Sequence, residues 1–381
     1  MNIEMKLDDY LDGLCDFGVP GCDFAIARDG KIVYRHFAGY ADHALVRPIS
    51  ERDIYRVYSV SKVTVCVCGM RLVEAGLLSL DDPVSKYIPS YADLKVKQRD
   101  GSVSFAKRVM TVRDLFTMSG GLNYDMNAEN IVRAAALPGA NTVSVLAALP
   151  EAPLDFEPGT SFQYSLCHDV LAAVIEVVSG ERYSEYVKKN VTDPLGMLDT
   201  GFRPTEEQRA RLVEGYQFVH GLMRAEPVDI EKHHARFIPC NAYDSGGAGL
   251  FSSVNDQMKL LSTLACGGTS SDGYRLLSPD SIEKMGENGL SDGARMNFMP
   301  TRLYGYSWGL CGRAHVNKKL SRARSAQGEF GWDGAAGAFA LADPKNRVSM
   351  YFGMEVLGCN YSYHKLFPDL RDLGYEFLGI E

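Results

Sequence analysis

The sequence lacks the features that attach a protein to a membrane or to nucleic acid. No stretch approaches the roughly 18 consecutive apolar residues of a membrane-spanning helix, and residues 1–14 are acidic and amphipathic, unlike a secretion signal. The chain also has no long run of Lys and Arg, and its formal net charge is −8. Phosphate groups and anionic lipid headgroups repel an acidic chain of this kind. We therefore expect a cytoplasmic protein that binds neither nucleic acid nor membrane.

The sequence also lacks a pattern of metal-binding or disulfide-bonded cysteines. The nine cysteines are scattered, and only Cys66 and Cys68 are close, at a spacing that suits neither a zinc site nor a redox-active pair. His233 and His234 are adjacent, so their side chains point in different directions in any regular structure. We expect buried free thiols in a reducing compartment, no metal and no organic cofactor.

What the sequence does contain is a candidate nucleophile. Residues 59–62 read Ser-Val-Ser-Lys, an S-x-x-K motif, where a strand-like run at 54–57 gives way to a helix-periodic apolar segment that extends to Gly76. In a helix, residues three apart share a face, so Lys62 is expected beside Ser59. A serine nucleophile needs such a base, together with donors for the oxyanion that it creates. The alternative is that Ser59 only caps the helix, as serines at helix starts commonly do.

The two ends of the chain show the same organisation. Residues 22–28 and 31–38 predict strands joined at Asp29 and Gly30, a pair that favours a tight hairpin turn. The other elements predicted at the ends are strands at 335–342 and 347–354 and helices at 1–17 and 366–378. Helical periods dominate the middle, at 63–75, 111–117, 168–179, 184–189 and 256–265. We therefore expect an α+β fold: an antiparallel sheet, flanked by N- and C-terminal helices, with an inserted, mostly helical region.

This layout predicts two domains, which the length of 381 residues allows. Residues 1–75 and 266–381 would form a discontinuous α/β sheet domain, and residues 76–265 a mostly helical domain. The active site is expected between them.

With these elements in place, the chain resembles the serine β-lactamase and penicillin-binding-protein superfamily, on its class C and esterase side, over nearly its whole length. The segments that carry the resemblance occur in the family's order: GVPG at 18–21, SVSK at 59–62, EAGLLSLDDPVSKYIP at 74–89, LFTMSGGLNYD at 115–125, FEPGTSFQYS at 156–165, PLGMLDTGF at 194–202 and GGAGLFSSVNDQMKLL at 246–261. The resemblance implies a β-lactamase-like fold and an acyl-enzyme formed on Ser59, with Lys62 as the base.

The family's second motif, Y-x-N, corresponds to Tyr164, Ser165 and Leu166. The resemblance implies that the Tyr164 hydroxyl passes a proton between nucleophile and leaving group, close to Lys62. Leu166 replaces the asparagine, so the hydrogen bond that this amide makes to Lys62 or to substrate is absent or supplied from elsewhere. We expect Leu166 at the substrate.

The third motif, usually Lys-Thr-Gly or His-x-Gly, corresponds to Trp332, Asp333 and Gly334, followed by Ala335. The resemblance implies that Gly334 lets substrate approach the strand, and that the N–H groups of Ala335 and Ser59 form the oxyanion hole. Neighbours in a strand alternate faces, so Trp332 and Asp333 are not expected to line the cleft together. In either case we expect no cation here to hold a substrate carboxylate.

This departure favours an esterase over a β-lactamase. Tyr124, Tyr164, Tyr243 and Trp332 are expected to line an apolar, aromatic pocket that suits acyl or aryl esters. We expect a carboxylesterase that acts on a small ester or amide through an acyl-enzyme on Ser59. The alternatives that stay open are a β-lactamase, a D,D-peptidase or D-aminopeptidase-type acyl hydrolase, acyl transfer to an alcohol, and a binding protein that has lost catalysis.

Two further segments have a weaker pattern. Residues 289–293 read Gly-Leu-Ser-Asp-Gly, the G-x-S-x-G pattern of the α/β-hydrolase nucleophile elbow. That elbow follows a buried strand, whereas the residues before Ser291 are polar and turn-like, so we expect Ser291 in a surface loop. The basic, glycine-containing segment 301–324 is either a mobile edge of the cleft or a solvated loop with no role.

Overall fold

The computed structural model describes residues 2–298 and 303–381. Its helices are α1 (Ile3–Asp16), α2 (Ser61–Glu74), α3 (Val112–Phe116), α4 (Glu129–Ala135), α5 (Thr142–Leu146), α6 (Cys167–Ser179), α7 (Tyr183–Val187), α8 (Glu206–Arg209), α9 (Ile230–His234), α10 (Val254–Ala265), α11 (Pro279–Met285), α12 (Asp292–Phe298), α13 (Lys318–Ser321) and α14 (Phe367–Phe377). Its strands are β1 (Gly21–Arg28), β2 (Lys31–Gly39), β3 (Ile54–Arg56), β4 (Lys95–Lys97), β5 (Val103–Phe105), β6 (Tyr216–Val219), β7 (Arg224–Pro227), β8 (Phe251–Ser253), β9 (Tyr306–Trp308), β10 (Arg313–His315), β11 (Phe330–Gly331), β12 (Phe339–Asp343), β13 (Val348–Gly353) and β14 (Val356–Leu357).

A seven-stranded sheet joins the two ends of the chain. Its strand order is β2-β1-β13-β12-β11-β10-β9, and all neighbouring pairs are antiparallel. The β1–β2 turn has left-handed φ angles of 52° at Asp29 and 78° at Gly30, as this tight hairpin turn requires. Because β1 also pairs with β13, the N-terminal hairpin is part of the C-terminal sheet. The predicted α+β class and antiparallel sheet are confirmed.

Helices cover both faces of this sheet. α1 directs Leu7, Leu11 and Leu14 inward from one helical face, and they pack with α14 on one side. On the opposite side, α10 packs against β1, β12 and β13. The predicted boundary after residue 265 assigns α10 to the helical region, yet α10 lies on the sheet. The division into two domains stays a prediction.

The helical region surrounds α2, the helix that follows the S-x-x-K serine. α2 packs against α6 and α7, and all of its residues from Ser61 to Met70 are buried. Just before it, β3 pairs with β8, and the Val57 N–H donates to the Leu250 carbonyl oxygen at 3.1 Å. The chain therefore enters α2 through a turn, Tyr58–Val60, whose position is fixed on both sides.

Two segments near the C-terminal end differ from the sequence-based expectation. Strand β12 begins at Phe339 and not at 335, because residues 334–338 form a tight turn in which the Gly334 N–H donates to the Ala338 carbonyl oxygen at 2.8 Å. Within 301–324, residues 301 and 302 lie outside the described residues. The rest of that segment is no simple loop, because it contributes β9 and β10 to the sheet.

Asp343 links the β12–β13 hairpin to α14. Its buried carboxylate accepts hydrogen bonds from the Tyr375 hydroxyl at 2.6 Å and from the Asn346 side-chain amide at 2.8 Å. We expect Tyr375→Phe to lower the free energy of unfolding by about 1.5–3 kcal/mol, because a buried carboxylate loses one donor. Urea unfolding followed by circular dichroism measures the change. Tyr304→Phe, at an exposed tyrosine, should change it by less than about 0.5 kcal/mol, and equal effects of the two substitutions would contradict this expectation.

Candidate active site

The S-x-x-K motif places its serine and lysine side by side. Ser59 lies in the 3₁₀ turn before α2, and Lys62 lies one turn further along the chain. The distance from Lys62 Nζ to Ser59 Oγ is 3.4 Å. Ser59 is half-buried and Lys62 is fully buried. The candidate nucleophile is therefore reachable from solvent, while its candidate base is not.

The Lys62 ammonium has an acceptor for each of its three N–H groups. Lys62 Nζ donates to the Gly247 carbonyl oxygen at 2.8 Å, to the Tyr124 hydroxyl at 3.4 Å and to Ser59 Oγ. The faces of two aromatic rings also lie close, with Nζ 4.6 Å from the ring centre of Tyr164 and 5.1 Å from that of Tyr124. The hydrogen-bonding capacity of the ammonium is thus filled without the asparagine that Leu166 replaces.

Tyr164 contacts Lys62 through its ring and not through its hydroxyl. The Tyr164 oxygen accepts a hydrogen bond from Trp332 Nε1 at 3.0 Å. The hydroxyl that faces Lys62 belongs to Tyr124, whose ring stacks on Tyr164 with centroids 5.6 Å apart and planes 10° apart. Burial, with the charge of Asp169, raises the pKa of Tyr124 well above its usual value, so its hydroxyl stays protonated. The motif pattern predicts Tyr124 only as an aromatic residue of the pocket.

Behind Lys62 lies a loop and a carboxylate that sequence reasoning missed. A methyl group on Gly247 would lie 2.4 Å from Asp169 Oδ2, 3.0 Å from the Tyr124 hydroxyl and 3.1 Å from Lys62 Nζ, so only glycine fits. Asp169 Oδ1 accepts hydrogen bonds from Ser245 Oγ at 2.6 Å and from the Tyr243 hydroxyl at 3.1 Å. The GGAG segment of the motif pattern was the available signal for this loop.

Two expected pocket residues are in the core instead. Tyr243 is 1% exposed and points at Asp169, behind Lys62. Leu166 is 1% exposed and packs in the main core at the start of α6. Neither residue lines the cavity in front of Ser59, and Tyr124, whose hydroxyl faces Lys62, does not line it either. Both were placed from motif alignment, which does not reveal the direction of a side chain.

The third motif forms a turn beside the nucleophile. A methyl group on Gly334 would lie 2.7 Å from the Val57 carbonyl oxygen, two residues before Ser59. The Gly334 carbonyl oxygen accepts a hydrogen bond from the Tyr363 hydroxyl at 3.1 Å. Ala335, the next residue, lines the same cavity as Ser59. Gly334 therefore permits the close approach that brings Ala335 to the nucleophile.

Trp332 and Asp333 both line this cavity, contrary to the expectation from strand alternation. The reason is that β11 ends at Gly331, so the two residues are not in a regular strand. A cation that the motif itself does not supply lies beside it. Arg313 on β10 donates from Nη1 to Asp333 Oδ1 at 2.6 Å and lies 3.4 Å from Glu329 Oε1. Two carboxylates already neutralise this buried guanidinium.

The cavity in front of Ser59 has a volume of about 350 Å³. Its lining residues are Ser59, Phe162, Tyr164, Phe298, Leu303, Trp332, Asp333, Ala335 and Tyr363. Trp332 also packs edge-on against the buried Trp308, with ring centroids 4.5 Å apart. Sequence reasoning missed Phe162, Phe298, Leu303 and Tyr363. Phe162 had a signal, since it lies two residues before Tyr164, whereas the others come from distant segments.

The G-x-S-x-G segment has no elbow geometry. Ser291 is exposed, and its Oγ accepts from the Ala294 N–H at the start of α12. In the ranges 2–298 and 303–381, no cluster of three or more His, Cys, Asp or Glu side chains could hold a metal ion. Among the helices described, none is long and apolar enough to cross a membrane.

The fit of Gly334 against Val57 gives a first test of the site. We expect Gly334→Ala to slow the labelling of Ser59 by a fluorophosphonate roughly tenfold or more, because the added methyl group moves the turn away from the nucleophile. Mass spectrometry over time measures the labelling rate. Gly293→Ala is the matched control, because a methyl group there would make only an ordinary 3.5 Å contact. An unchanged rate in a folded Gly334→Ala variant would contradict the geometry described.

Known proteins with similar sequences and structures identify the family. The chain matches the family model described as "Beta-lactamase" over residues 7–354. Esterase EstB from Burkholderia gladioli is 32% identical over 282 residues, which cover 69% of this chain and 70% of EstB. A putative D-alanyl-D-alanine carboxypeptidase from Escherichia coli (strain K12) is 25% identical over 365 residues, which cover 91% of this chain and 80% of that protein.

Among solved structures, EstCE1, described as a hydrolase with promiscuous acyltransferase activity, superposes with a TM-score of 0.81 at 25% identity and covers 98% of both chains. The family match spans both halves of the sheet and the helical region between them. The expected resemblance is therefore confirmed. The chain belongs to the β-lactamase family and is a serine hydrolase.

Proposed function

We propose that this protein is a carboxylesterase that acts through an acyl-enzyme on Ser59. The observation that carries the proposal is the cavity in front of Ser59, whose walls are mostly aromatic and aliphatic. In the described part of the chain its one charged lining residue is Asp333, which is paired with Arg313. Such a cavity suits an uncharged acyl or aryl group. The similarity to EstB, an esterase by name, supports the same conclusion.

In the first step Lys62, as the neutral amine, takes the proton of Ser59 and becomes an ammonium, and Ser59 Oγ attacks the ester carbonyl. The N–H groups of Ser59 and Ala335 are proposed to hold the oxyanion of the tetrahedral intermediate. Support comes from Gly334, which brings Ala335 to the cavity wall beside Ser59. Lys62 is buried and its other N–H groups are held by Gly247 and Tyr124, so its position does not depend on substrate.

In the second step the alcohol leaves with a proton. Tyr164 lines the cavity, and its oxygen already accepts the indole N–H of Trp332. Its own O–H is therefore directed to another acceptor, and we propose that it protonates the leaving alkoxide. In deacylation we propose that the deprotonated Tyr164 takes a proton from the attacking water. Lys62, whose Nζ lies 3.4 Å from Ser59 Oγ, returns its proton to the serine as the acid leaves.

The charge around the third motif disfavours substrates that carry a carboxylate. Asp333 places a carboxylate on the cavity wall, and the guanidinium of Arg313 beside it is already paired with Asp333 and Glu329. A β-lactam or a D-alanyl peptide brings its own carboxylate close to the scissile bond, and like charges a few ångströms apart repel each other. The β-lactamase and D,D-peptidase alternatives are therefore less favoured. Transfer to an alcohol uses the same acyl-enzyme and is a second outcome of the ester assay.

We further propose that the site lies between the sheet and the helical region. Ala335 and the W-D-G turn belong to the first, and Tyr164 and Gly247 to the second. We also propose the cytoplasm as the location, because all nine cysteines are free thiols in the structure.

The reaction is tested with p-nitrophenyl esters of short and medium chain length and a chromogenic cephalosporin. We expect ester hydrolysis to exceed cephalosporin hydrolysis, and Ser59→Ala to lose roughly 10³-fold or more of the ester activity because the nucleophile is gone. Ser291→Ala is the matched control, since it removes the exposed serine of the G-x-S-x-G segment and should retain full activity. Cephalosporin hydrolysis as fast as ester hydrolysis would count against the proposal.

The hydrogen bond from Trp332 to Tyr164 is tested by a double-mutant cycle. We expect Trp332→Phe to lower kcat roughly tenfold with little change in KM, because the ring remains while the donor to Tyr164 is lost. In a Tyr164→Phe background, where activity is already low, Trp332→Phe should have almost no further effect. Steady-state kinetics of the four proteins measures this coupling. Equal losses in both backgrounds would show that the indole acts on substrate and not through Tyr164.

A further inference from the structure

Asp169 is a buried carboxylate that the proposed mechanism does not use. It lies in the first turn of α6, where the helix dipole favours negative charge. Its Oδ1 accepts hydrogen bonds from Ser245 and Tyr243. In the described part of the chain, its buried Oδ2 has no hydrogen-bond partner of standard geometry, although the nearby Gly247 N–H also acts to lower the pKa of the carboxyl group. A buried carboxylate oxygen without a donor is costly unless a positive charge lies nearby.

That positive charge is Lys62, on the other side of Gly247. A methyl group on Gly247 would lie 2.4 Å from Asp169 Oδ2 and 3.1 Å from Lys62 Nζ. Both distances start from the same methyl position on Gly247. The Asp169 oxygen and the Lys62 nitrogen are therefore at most 5.5 Å apart, the sum of 2.4 and 3.1 Å. Lys62 also donates to the Gly247 carbonyl oxygen. The glycine therefore allows the two opposite charges to approach each other inside the protein.

We propose that Asp169 is the positioning residue for Lys62, and that its carboxylate supplies the opposite charge that the three uncharged acceptors of Lys62 do not. The proposal rests on the proposed function, in which Lys62 is the base. Through its charge, Asp169 holds the lysine as a buried ammonium beside Ser59 and sets the pH at which the lysine releases its proton. A buried ammonium without such a partner would be expelled toward water.

Opposing influences act on the ionisation of this carboxylate. Burial is the largest and raises the pKa of Asp169 above its usual value, whereas Lys62, the hydroxyls of Ser245 and Tyr243 and the Gly247 N–H act to lower it. Hydrogen bonds and a nearby positive charge favour the charged form of a carboxylate. The two donors on Oδ1 and the ammonium near Oδ2 therefore counter part of the cost of burial.

Other titratable groups also face the pair from the neighbouring elements. They are Tyr124, Tyr164, Tyr183, Tyr243, Cys66, Cys167, Cys311 and His168. Two carboxylates, Asp114 and Asp244, lie further away, and each of these two is paired with arginine. Burial raises the pKa of Tyr124, Tyr243 and Cys66, and burial together with Lys62 lowers the pKa of His168 to about 3. These four groups are uncharged near pH 7 and do not compensate the charge of Lys62.

The test is the pH dependence of Ser59 labelling by a fluorophosphonate. The labelling rate rises with pH as Lys62 loses its proton, and the midpoint of that rise is the quantity compared. We expect Asp169→Asn, in folded protein, to move the midpoint to lower pH by roughly one unit, because the ammonium loses its opposite charge and releases its proton more readily. A variant in which Asp169 only supported the fold would label more slowly at every pH with the midpoint unchanged.

Asp244→Asn is the matched control. Asp244 is equally buried but paired with Arg182 and Arg203, so its loss should leave the midpoint in place. If Asp169→Asn does not fold, Ser245→Ala decides the question: loss of the 2.6 Å hydrogen bond to Asp169 should move the midpoint in the same direction by a smaller amount. An unchanged midpoint in the folded variant would overturn the proposal.

The labelling assay also separates this proposal from the proposed function. Fluorophosphonate reacts with an activated serine whatever the natural substrate is, so a protein that labels at Ser59 but hydrolyses no ester refutes only the carboxylesterase. A wild-type protein that does not label at Ser59 refutes both. Labelling with a midpoint that Asp169→Asn does not move refutes only the role of Asp169.

Discussion

The burial of one ammonium group is the constraint on which the active site depends. Lys62 is 0% exposed, and a buried charge is tolerated only when its hydrogen bonds are made and an opposite charge is near. Its three acceptors come from separate parts of the chain: Ser59 from the turn before α2, Tyr124 from the loop after α3, and Gly247 from the loop before β8. The helical region must bring these loops together before the serine has a base. The packing that brings these loops together therefore also assembles the site.

The third motif acts on the second motif as well as on the nucleophile. Trp332 occupies the position of a cation in the family's penicillin-recognising pattern, and its indole N–H holds the Tyr164 oxygen instead. The next residue, Asp333, accepts a charged hydrogen bond from Arg313 on β10, and this bond fixes the turn to the sheet. The change from a cation to tryptophan thus removes a group that would attract a carboxylate and adds a donor to Tyr164, the tyrosine proposed to transfer the proton. Trp332 therefore contributes both to the aromatic wall of the cavity and to the orientation of Tyr164.

The sequence predicts the parts of this structure that depend on nearby residues. The hairpin at Asp29 and Gly30, the helix that buries Leu7 and Leu11, and the spacing of Ser59 and Lys62 all follow from local periodicity or turn preference. Local patterns do not predict the residues that line the pocket, because Phe298 and Tyr363 come from segments far from the motifs. The rule of strand alternation failed at Trp332 because it holds only where a strand continues, and β11 ends one residue earlier. Tyr243 was misplaced because a motif fixes the backbone position of a residue, while the direction of its side chain depends on the carboxylate that it binds.

The turn that carries the nucleophile depends on a segment that the S-x-x-K motif does not contain. Tyr58 has φ of 44°, a left-handed conformation that costs a non-glycine residue on the order of 1–3 kcal/mol. Its ring packs edge-on against His233, His234 and Phe237, and each such aromatic pair contributes about 0.5–1.5 kcal/mol. Burial lowers the pKa of both histidines, so both rings are neutral near pH 7, and His233 Nδ1 and the Tyr58 hydroxyl share a hydrogen bond of 3.2 Å. The combined free energy of these aromatic contacts is comparable with the cost of the left-handed conformation of Tyr58. The direction in which Ser59 faces the cavity is therefore set jointly by the start of α2 and by the aromatic cluster around α9.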